Sequence, residues 1–589
     1  MLNELVRYAR ANLADSEPGF TTRTVRWLVE LSDNGCLINV LPLGDSKGEQ
    51  TSKCPDMHKI NARGRAHFLV ETLQTVTLIS KPNEERKKIA GALEKQRFFT
   101  DLVLQAADSS TILKPLAMFM KDTQQLGLLK ERLLKEKAKP TDWLRWTIAG
   151  TDPLRHDDVL DWWRKWRMTD QMKGKAEEKN KTVKTTQQLV SKSPQTGMVC
   201  FLTGEILEPV ATQPKITGLS GVGGKGTRDV LAGFDKAAFC SFGLEQAKNA
   251  AMGEKPAREY VDALNYLIKN HSRKLANALV VHWFKETLRP EDDPLAFLFE
   301  PPEIVETAAQ NSVRQLLASL RTGQRVTLEN NHFYAMTVSG ASGRVMVRDW
   351  MEGPFKELVD KIEKWFADLE IVARDGGRLA PDPKFMAVCG CIMRELKDLP
   401  APTATILWRV ALAGLPIPQS IIAKALARFR TDLINDEPFN HARMGLIKAY
   451  FIRKGGNQYM SAYLNKEHPE PAYQCGRLLA ILAGLQRAAL GDIGAGVVQR
   501  YYVAASQTPG LTLGRLFNNA KNHLNKLEGG LAYWYENQIA EIMSRIQDHI
   551  PSTLNLDQQS LFALGYYQQI AANRVSKNNI NENTKGDKQ

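Results

Sequence analysis

The sequence has no run of about 18 apolar residues, so no part of it is expected to cross a membrane as a helix. Cysteine is scarce. Its seven copies (Cys36, Cys54, Cys200, Cys240, Cys389, Cys391 and Cys475) are odd in number and widely scattered, which excludes a disulfide framework and fits free thiols in a reducing cytoplasm. Catalytic signatures are missing as well. GVGGKGT looks like a phosphate loop, but Leu219 stands where the first glycine of that motif is required, and Gly226 follows Lys225 where Ser or Thr is needed. Cys389-Gly-Cys391 does not have the spacing of a zinc pair and has no second pair close by in sequence. His156-Asp157 lacks the further His and Asp ligands of a metal-dependent phosphohydrolase. Pro381-Asp382-Pro383-Lys384 lacks the paired acid and lysine of a nuclease, and no G-x-S-x-G elbow occurs. A basic chain without acid clusters is better suited to binding than to cleavage, and neither a catalytic residue nor a cofactor is expected.

What is present is ordinary globular material: 43% apolar and 24% charged residues in a chain of 589, enough for two to four domains. The net charge of +13 attracts polyanions, because neutralising phosphates releases their condensed counterions. From Met460 onward there are 12 Lys/Arg against 10 Asp/Glu, so nearly all the excess lies before that point. No basic helix with a bulky aromatic face suggests a membrane surface instead.

The opening MLNELVRYARANLADSE carries charge inside its apolar run and predicts an amphipathic helix rather than a secretory signal. Thr24 to Leu31 alternates, Asp33-Asn34-Gly35 supplies a tight turn, and Cys36 to Leu41 returns as the second strand of a hairpin. Residues 86–107 and 111–135 predict helices with basic outer faces, and 170–195 predicts a mobile, lysine-rich loop. The glycine-rich KITGLSGVGGKGTRDVLAGF implies a backbone that approaches something closely. Phe333–Val338 and Arg344–Trp350 predict a second hairpin. Four or five helices are expected, at 471–490, 495–507, 512–527, 531–549 and 557–573, ahead of a disordered tail. In the third of these, Leu513, Leu516, Phe517 and Leu524 form an apolar stripe. Arg477, Arg487, Arg500, Lys521 and Lys526 are read as outward residues that would line a track for single-stranded DNA, with Tyr501, Tyr502, Tyr533 and Trp534 as stacking platforms. The fold class is α+β: a mixed N-terminal region with antiparallel hairpins (1–320), a hairpin plus helical middle region (321–459), an all-α C-terminal bundle (460–575) and a tail (576–589).

Several stretches carry a family likeness. HFYAMTVSG with RVMVRDW, FNHARMGLIKAYFIRKG, AYQCGRLLAILAGLQRAALG, SLFALGYYQQ and PKITGLSG…AFCSFGLEQAKNA resemble, in this order of position apart from the last, the large-subunit family of subtype I-C CRISPR surveillance complexes, the Csd family. The resemblance runs from the first helix to about Gln569. It implies a cytoplasmic ribonucleoprotein subunit without catalytic activity, placed at the foot of the Cascade complex beside the subunit that holds the guide RNA's 5′ end. Such a subunit recognises the short motif (PAM) flanking a double-stranded DNA target, aids duplex opening and R-loop formation, and recruits a helicase–nuclease, while guide pairing reads the sequence. The implied partners are guide RNA, target duplex, displaced single strand, the backbone and foot subunits, and copies of a small subunit. The segment 57–68, MHKINARGRAHF, matches a family loop, which makes Lys59, Asn61, Arg63 and Arg65 candidates for base edges or phosphates and Gly64 the point of close approach. Gln246 and Asn249 are second candidates, with Lys215 and Lys225 as phosphate contacts. Phe242 stands where the family more often has Tyr, which removes a hydroxyl. The family also implies an internal start, here Met460, that yields the bundle as a separate small subunit. Two rival readings are a nucleic-acid-processing enzyme centred on His156 and Asp157, and a scaffold that touches only protein and guide RNA.

Overall fold

The computed structural model describes the chain except for 14–16, 46–47, 58–63, 81–85, 171–196, 226–228, 235, 300–307, 323–324, 436–438, 456, 492–495, 547–548 and 587–589. It has the expected α+β class. Its compact units differ from the regions drawn on the sequence: one comprises Leu2–Pro214 and Phe234–Ala263, the other Lys215–Gly233 and Leu264–Gln589. No division falls at 320 or 459.

The first unit opens with helix α1 (Leu2–Asn12), whose Leu5, Val6 and Ala9 are buried. Strand β1 (Phe20–Val25) pairs antiparallel with β4 (Glu49–Pro55). The expected hairpin is formed by β2 (Trp27–Leu31) and β3 (Leu37–Pro42), and Val25, Trp27, Val29 and Leu31 are all buried. Gly35 closes its turn at φ +74°, where a side chain would also meet the Pro115 carbonyl at 2.6 Å. Strands β5 (Glu71–Thr72) and β6 (Trp143–Ile148) complete a mixed sheet of order β3-β2-β6-β5, in which β2 and β6 run parallel. Helices α2 (Leu73–Thr77), α3 (Arg86–Ser109), α4 (Lys114–Lys121), α5 (Thr123–Lys135) and α6 (157–170) supply Leu73, Phe99, Leu102, Phe119, Leu133 and Trp163 to its core. Asp122 caps α5 by accepting from the Gln124 and Gln125 amides. A two-residue ladder, β7 (Met198–Val199) with β8 (Ile206–Leu207), and most of helix α7 (Glu254–Asn270) finish this unit.

The second unit holds an antiparallel sheet of order β12-β11-β10-β9, made of β9 (Ser272–Leu275), β10 (Ala278–Phe284), β11 (His332–Ala341) and β12 (Arg344–Pro354). The β11–β12 turn is Ser342-Gly343, both with positive φ, as a two-residue turn of this hand requires. Short helices α8 (Pro294–Phe299) and α10 (Val326–Glu329) flank α9 (Ala308–Arg321). Helix α11 (Phe355–Leu369) buries Phe355, Leu358, Ile362, Trp365 and Phe366. Around it come α12 (Phe385–Gly390), α13 (Ala401–Ala413), α14 (Gln419–Ile434) and α15 (His441–Arg453). The five C-terminal helices are α16 (Pro471–Leu490), α17 (Val497–Gln507), α18 (Pro509–Leu524), α19 (Gly529–Ile546) and α20 (Leu556–Gly586). Helix α20 continues to Gly586, through residues the sequence reading assigns to a disordered tail. These helices share one core with α11–α15.

Candidate nucleic-acid interface

The described residues that flank the loop expected to read DNA are clamped within the first unit. Lys59, Asn61 and Arg63 themselves fall outside the described residues, as does nearly all of the basic segment 170–195. On the near side, the Asp56 carboxylate accepts from Arg23 and Arg258, each at 2.8 Å, and Arg258 also donates to the Phe20 carbonyl at 2.5 Å. Burial works against the Asp56 charge, but Arg258 and Arg23 outweigh it and hold the carboxyl below its ordinary range. His67 on the far side is 2% exposed and accepts from the Met57 amide at 3.1 Å. Burial, aided by the adjacent Arg23 charge, pushes its pKa down to about 3, so it stays neutral.

Arg65 forms a bidentate pair with Asp170, at 2.7 and 3.2 Å, so its guanidinium is committed to a carboxylate rather than held out as a free reading arm. Asp170 is the last described residue of α6. Gly64, at φ +78°, takes a left-handed conformation that a side chain would strain. Glu254, near the start of α7, pairs with Arg167 of α6 and lies 3.5 Å from Arg258, which extends the clamp. Sequence reasoning missed Asp56, His67, Asp170 and Arg258, because nothing local marks a carboxylate whose partner lies 202 positions away.

The second candidates divide. Asn249 is a staple: its Oδ1 accepts from the Ser241 amide at 2.9 Å, and its Nδ2 donates to the Leu244 and Gln246 carbonyls at 2.8 and 3.0 Å. A side chain so employed has no amide edge left to read a base. The loop it closes carries positive φ at Phe242, Gly243 and Gln246, and it presents Phe242 fully exposed. Gln246 and Lys248 are exposed on the same loop. Sequence reasoning singled out Phe242 only for a missing hydroxyl; its exposure was not visible there.

Lys215 and Lys225 belong to the second unit, apart from Gln246 and Asn249 in the first. The glycine-rich segment closes on its own chain: the Lys225 amide donates to both oxygens of fully buried Asp229, at 3.1 and 3.0 Å. That carboxylate takes the backbone donor a phosphate would need. Side chains at Gly224 and Gly340 would collide with Asp229 and with the opposing backbone.

In the C-terminal helices, Arg487, Arg500, Lys521 and Lys526 are exposed as expected. Arg477 is not. It is 0% exposed and donates to Gln569, Gln474 and Glu541 at 2.8, 2.8 and 2.9 Å, so it is an internal strut of the bundle. Of the proposed platforms, Tyr502 is buried, while Tyr501 and Tyr533 are exposed. Met460 is half-buried just before α16.

His156 lies 3.7 Å from Asp158, and no group of three or more His, Cys, Asp or Glu among the described residues is placed to hold a metal ion. Cys389 and Cys391 are buried, and burial pushes the Cys391 thiol up to about 12. No described helix is long and apolar enough to cross a membrane. The family model described as CRISPR-associated protein (Cas_Csd1) matches residues 5–573. No curated protein matches the chain.

Proposed function

Since the chain belongs to the CRISPR-associated Csd1 family, we propose that it is the large subunit of a type I-C surveillance complex: non-catalytic, without a cofactor, and responsible for recognising the PAM. Guide pairing then reads the target, and this subunit reads only the flanking motif and the shape of the duplex. Once docked, it offers the surface on which the helicase–nuclease lands.

The observation that carries this reading is Phe242. A fully exposed aromatic on left-handed backbone contributes nothing to a core, and the chain spends three hydrogen bonds from Asn249 to hold its loop closed. An apolar wedge inserted at a base step unstacks it at a cost of a few kcal/mol, and the contacts that become available offset that cost. Phe242 is the wedge in this reading, Gln246 and Lys248 meet the base edges and backbone beside it, and Lys59, Asn61 and Arg63 supply the remaining contacts.

The test is a guide-loaded complex reconstituted with and without this chain. Affinity is measured at fixed salt for a matched duplex carrying a correct or a scrambled flanking motif. Tight binding restored only with the correct motif supports the reading, and equal binding to either motif removes it. Phe242→Ala should slow duplex opening, followed by 2-aminopurine fluorescence beside the motif, by about tenfold, in line with the roughly 1–3 kcal/mol carried by one aromatic–base contact.

A further inference from the structure

Between α11 and α12 the second unit makes a tight return that none of the roles above uses. The Ala373 amide donates to the Arg378 carbonyl at 2.8 Å, and Gly376 and Gly377 cross the turn at φ +80° and +76°. The turn is pressed onto α20. A side chain at Gly376 would stand 2.2 Å from the Ala571 carbonyl, and the Tyr567 hydroxyl donates to the Val372 carbonyl at 2.7 Å. This docking sets Arg374 beside Arg574 of α20, whose guanidinium donates to the Arg374 carbonyl at 3.1 Å. The Arg374 guanidinium itself lies over Phe439, 5.5 Å from the ring centroid. That contact uses the face of the group and leaves its N–H edge unbonded.

Arg487, exposed in the last turn of α16, is the third cation. Burial lowers the pKa of half-buried Arg574, and the charges of Arg374 and Arg487 lower it further. None of the three forms an ion pair among the described residues. Asp375 is the carboxylate whose charge reaches Arg574, and it is paired with Arg378 at 3.4 Å. A cation suits the carbonyl end of α16, but that accounts for one charge and not for three brought to one surface. Like charges gathered at a half-buried position destabilise the chain unless an anion joins them. Guanidinium edges match the oxygens of a phosphate group. We propose that Arg374, Arg487 and Arg574 bind one phosphodiester group of a nucleic-acid strand. The net charge of +13 and the family favour a polyphosphate strand over a phosphorylated protein. The proposal rests on the reading that the chain engages nucleic acid, and it adds a contact in the second unit. A displaced DNA strand and a guide RNA carry the same phosphodiester, so the experiment uses both.

The probes are fluorescein-labelled dodecamers of thymidine and of uridine, bound to the full chain and read by anisotropy across a salt series. Arg374→Gln and Arg487→Gln, both at exposed positions, should each weaken binding by about tenfold at low salt, as the loss of one charge-assisted contact does. Each should also lower the slope of log affinity against log salt by about 0.7, the share of one phosphate in a single strand. The double variant should bind little worse than either single one and lose no further slope, because both side chains serve the same phosphate. Thermal unfolding without the probe should not fall in any of the three, since removing one of several like charges relieves repulsion. Losses with both strands support the site, and a loss confined to one supports it and assigns the source. Unchanged affinity and slope, or losses that simply multiply in the double variant, overturn it. So does retention of both strands together with loss of a phosphoserine peptide, which would make this a site for phosphorylated protein. If the variants bind as wild type while the assembled complex still discriminates the flanking motif, the arginine site falls and the function above stands. If the losses appear while discrimination is absent, the function falls and the arginine site stands.

Discussion

A neutral histidine at the root of the candidate reading loop makes the first unit sensitive to acid. The pKa of His67 is about 3 in the folded chain, while an unfolded histidine titrates near 6.5. Between those values the unfolded state binds the extra proton, so stability is complete above about pH 6.5 and falls as the pH drops through that window, by roughly 1.4 kcal/mol per unit. His468 in the second unit, lowered to about 4 by burial, adds a parallel loss. Lowering the pH from about 7 to about 5 should cost each unit about 2 kcal/mol. His67→Gln should flatten the dependence of the first unit alone, as read by guanidinium denaturation across a pH series. An unchanged slope would mean that His67 is protonated in the fold. Arg477 teaches a related lesson at the same scale. It sits beside Leu478 and Leu479 in a stripe that reads as core flanked by an outward charge, yet its partners Glu541 and Gln569 are 64 and 92 residues away and draw it inside. Lys466 and Arg477 together outweigh the burial of Glu541 and hold its carboxyl below the ordinary range.

At the scale of elements, the C-terminal helices turn on one close crossing. Side chains at Gly476 of α16 and Gly565 of α20 would run into the Phe562 and Tyr473 carbonyls respectively, so the two helices approach backbone to backbone. Gly476→Ala should therefore destabilise the second unit by about 2–3 kcal/mol through overpacking, although alanine is the better helix former. Gly514→Ala in α18, where a side chain meets nothing within 4 Å, should instead add about 0.5–1 kcal/mol. A thermal shift of the same sign in both variants would contradict this packing. The crossing also marks how far the sequence could be read. Both hairpins were legible because Asn34-Gly35 and Ser342-Gly343 write their turns locally, and the five terminal helices because their apolar periodicity is unbroken. Helix α18 starts three residues before its expected position, and Pro509 at its first turn was the signal. The parallel pairing of β2 with β6, across more than a hundred residues, was not legible, nor was the closure of the glycine-rich segment on Asp229. Periodicity reports which face is buried and says nothing of what covers it. The candidate site was legible only as residue types, because Arg65 finds its carboxylate partner 105 positions away and Asn249 turns back onto the backbone of its own loop.

For the whole molecule, the question is whether the part from Met460 onward can stand alone as a small subunit. In the intact chain its helices do not form a separate core. Tyr502 packs edge-on against Phe429 of α14 at 5.5 Å, and Tyr567 against Phe439 at 5.5 Å. Asp557 at the start of α20 accepts from Tyr450 of α15 and from Lys454, which caps that helix, at 2.8 and 2.5 Å. A product of residues 460–589 would lose α14 and α15, uncover those aromatic faces and leave the α20 terminus without its cationic partner. Buried aromatic surface of this kind does not stay in water if another apolar face is within reach. Expressed alone, 460–589 should therefore sediment as a self-associated species and lose that association when Tyr502 and Tyr567 are replaced by Glu. A stable monomer with sharp thermal unfolding would show that α14 and α15 are dispensable to the bundle. Self-association is also what a small subunit needs if several copies are to line one complex, since each copy would cover in its neighbour the face that α14 and α15 cover in the full chain.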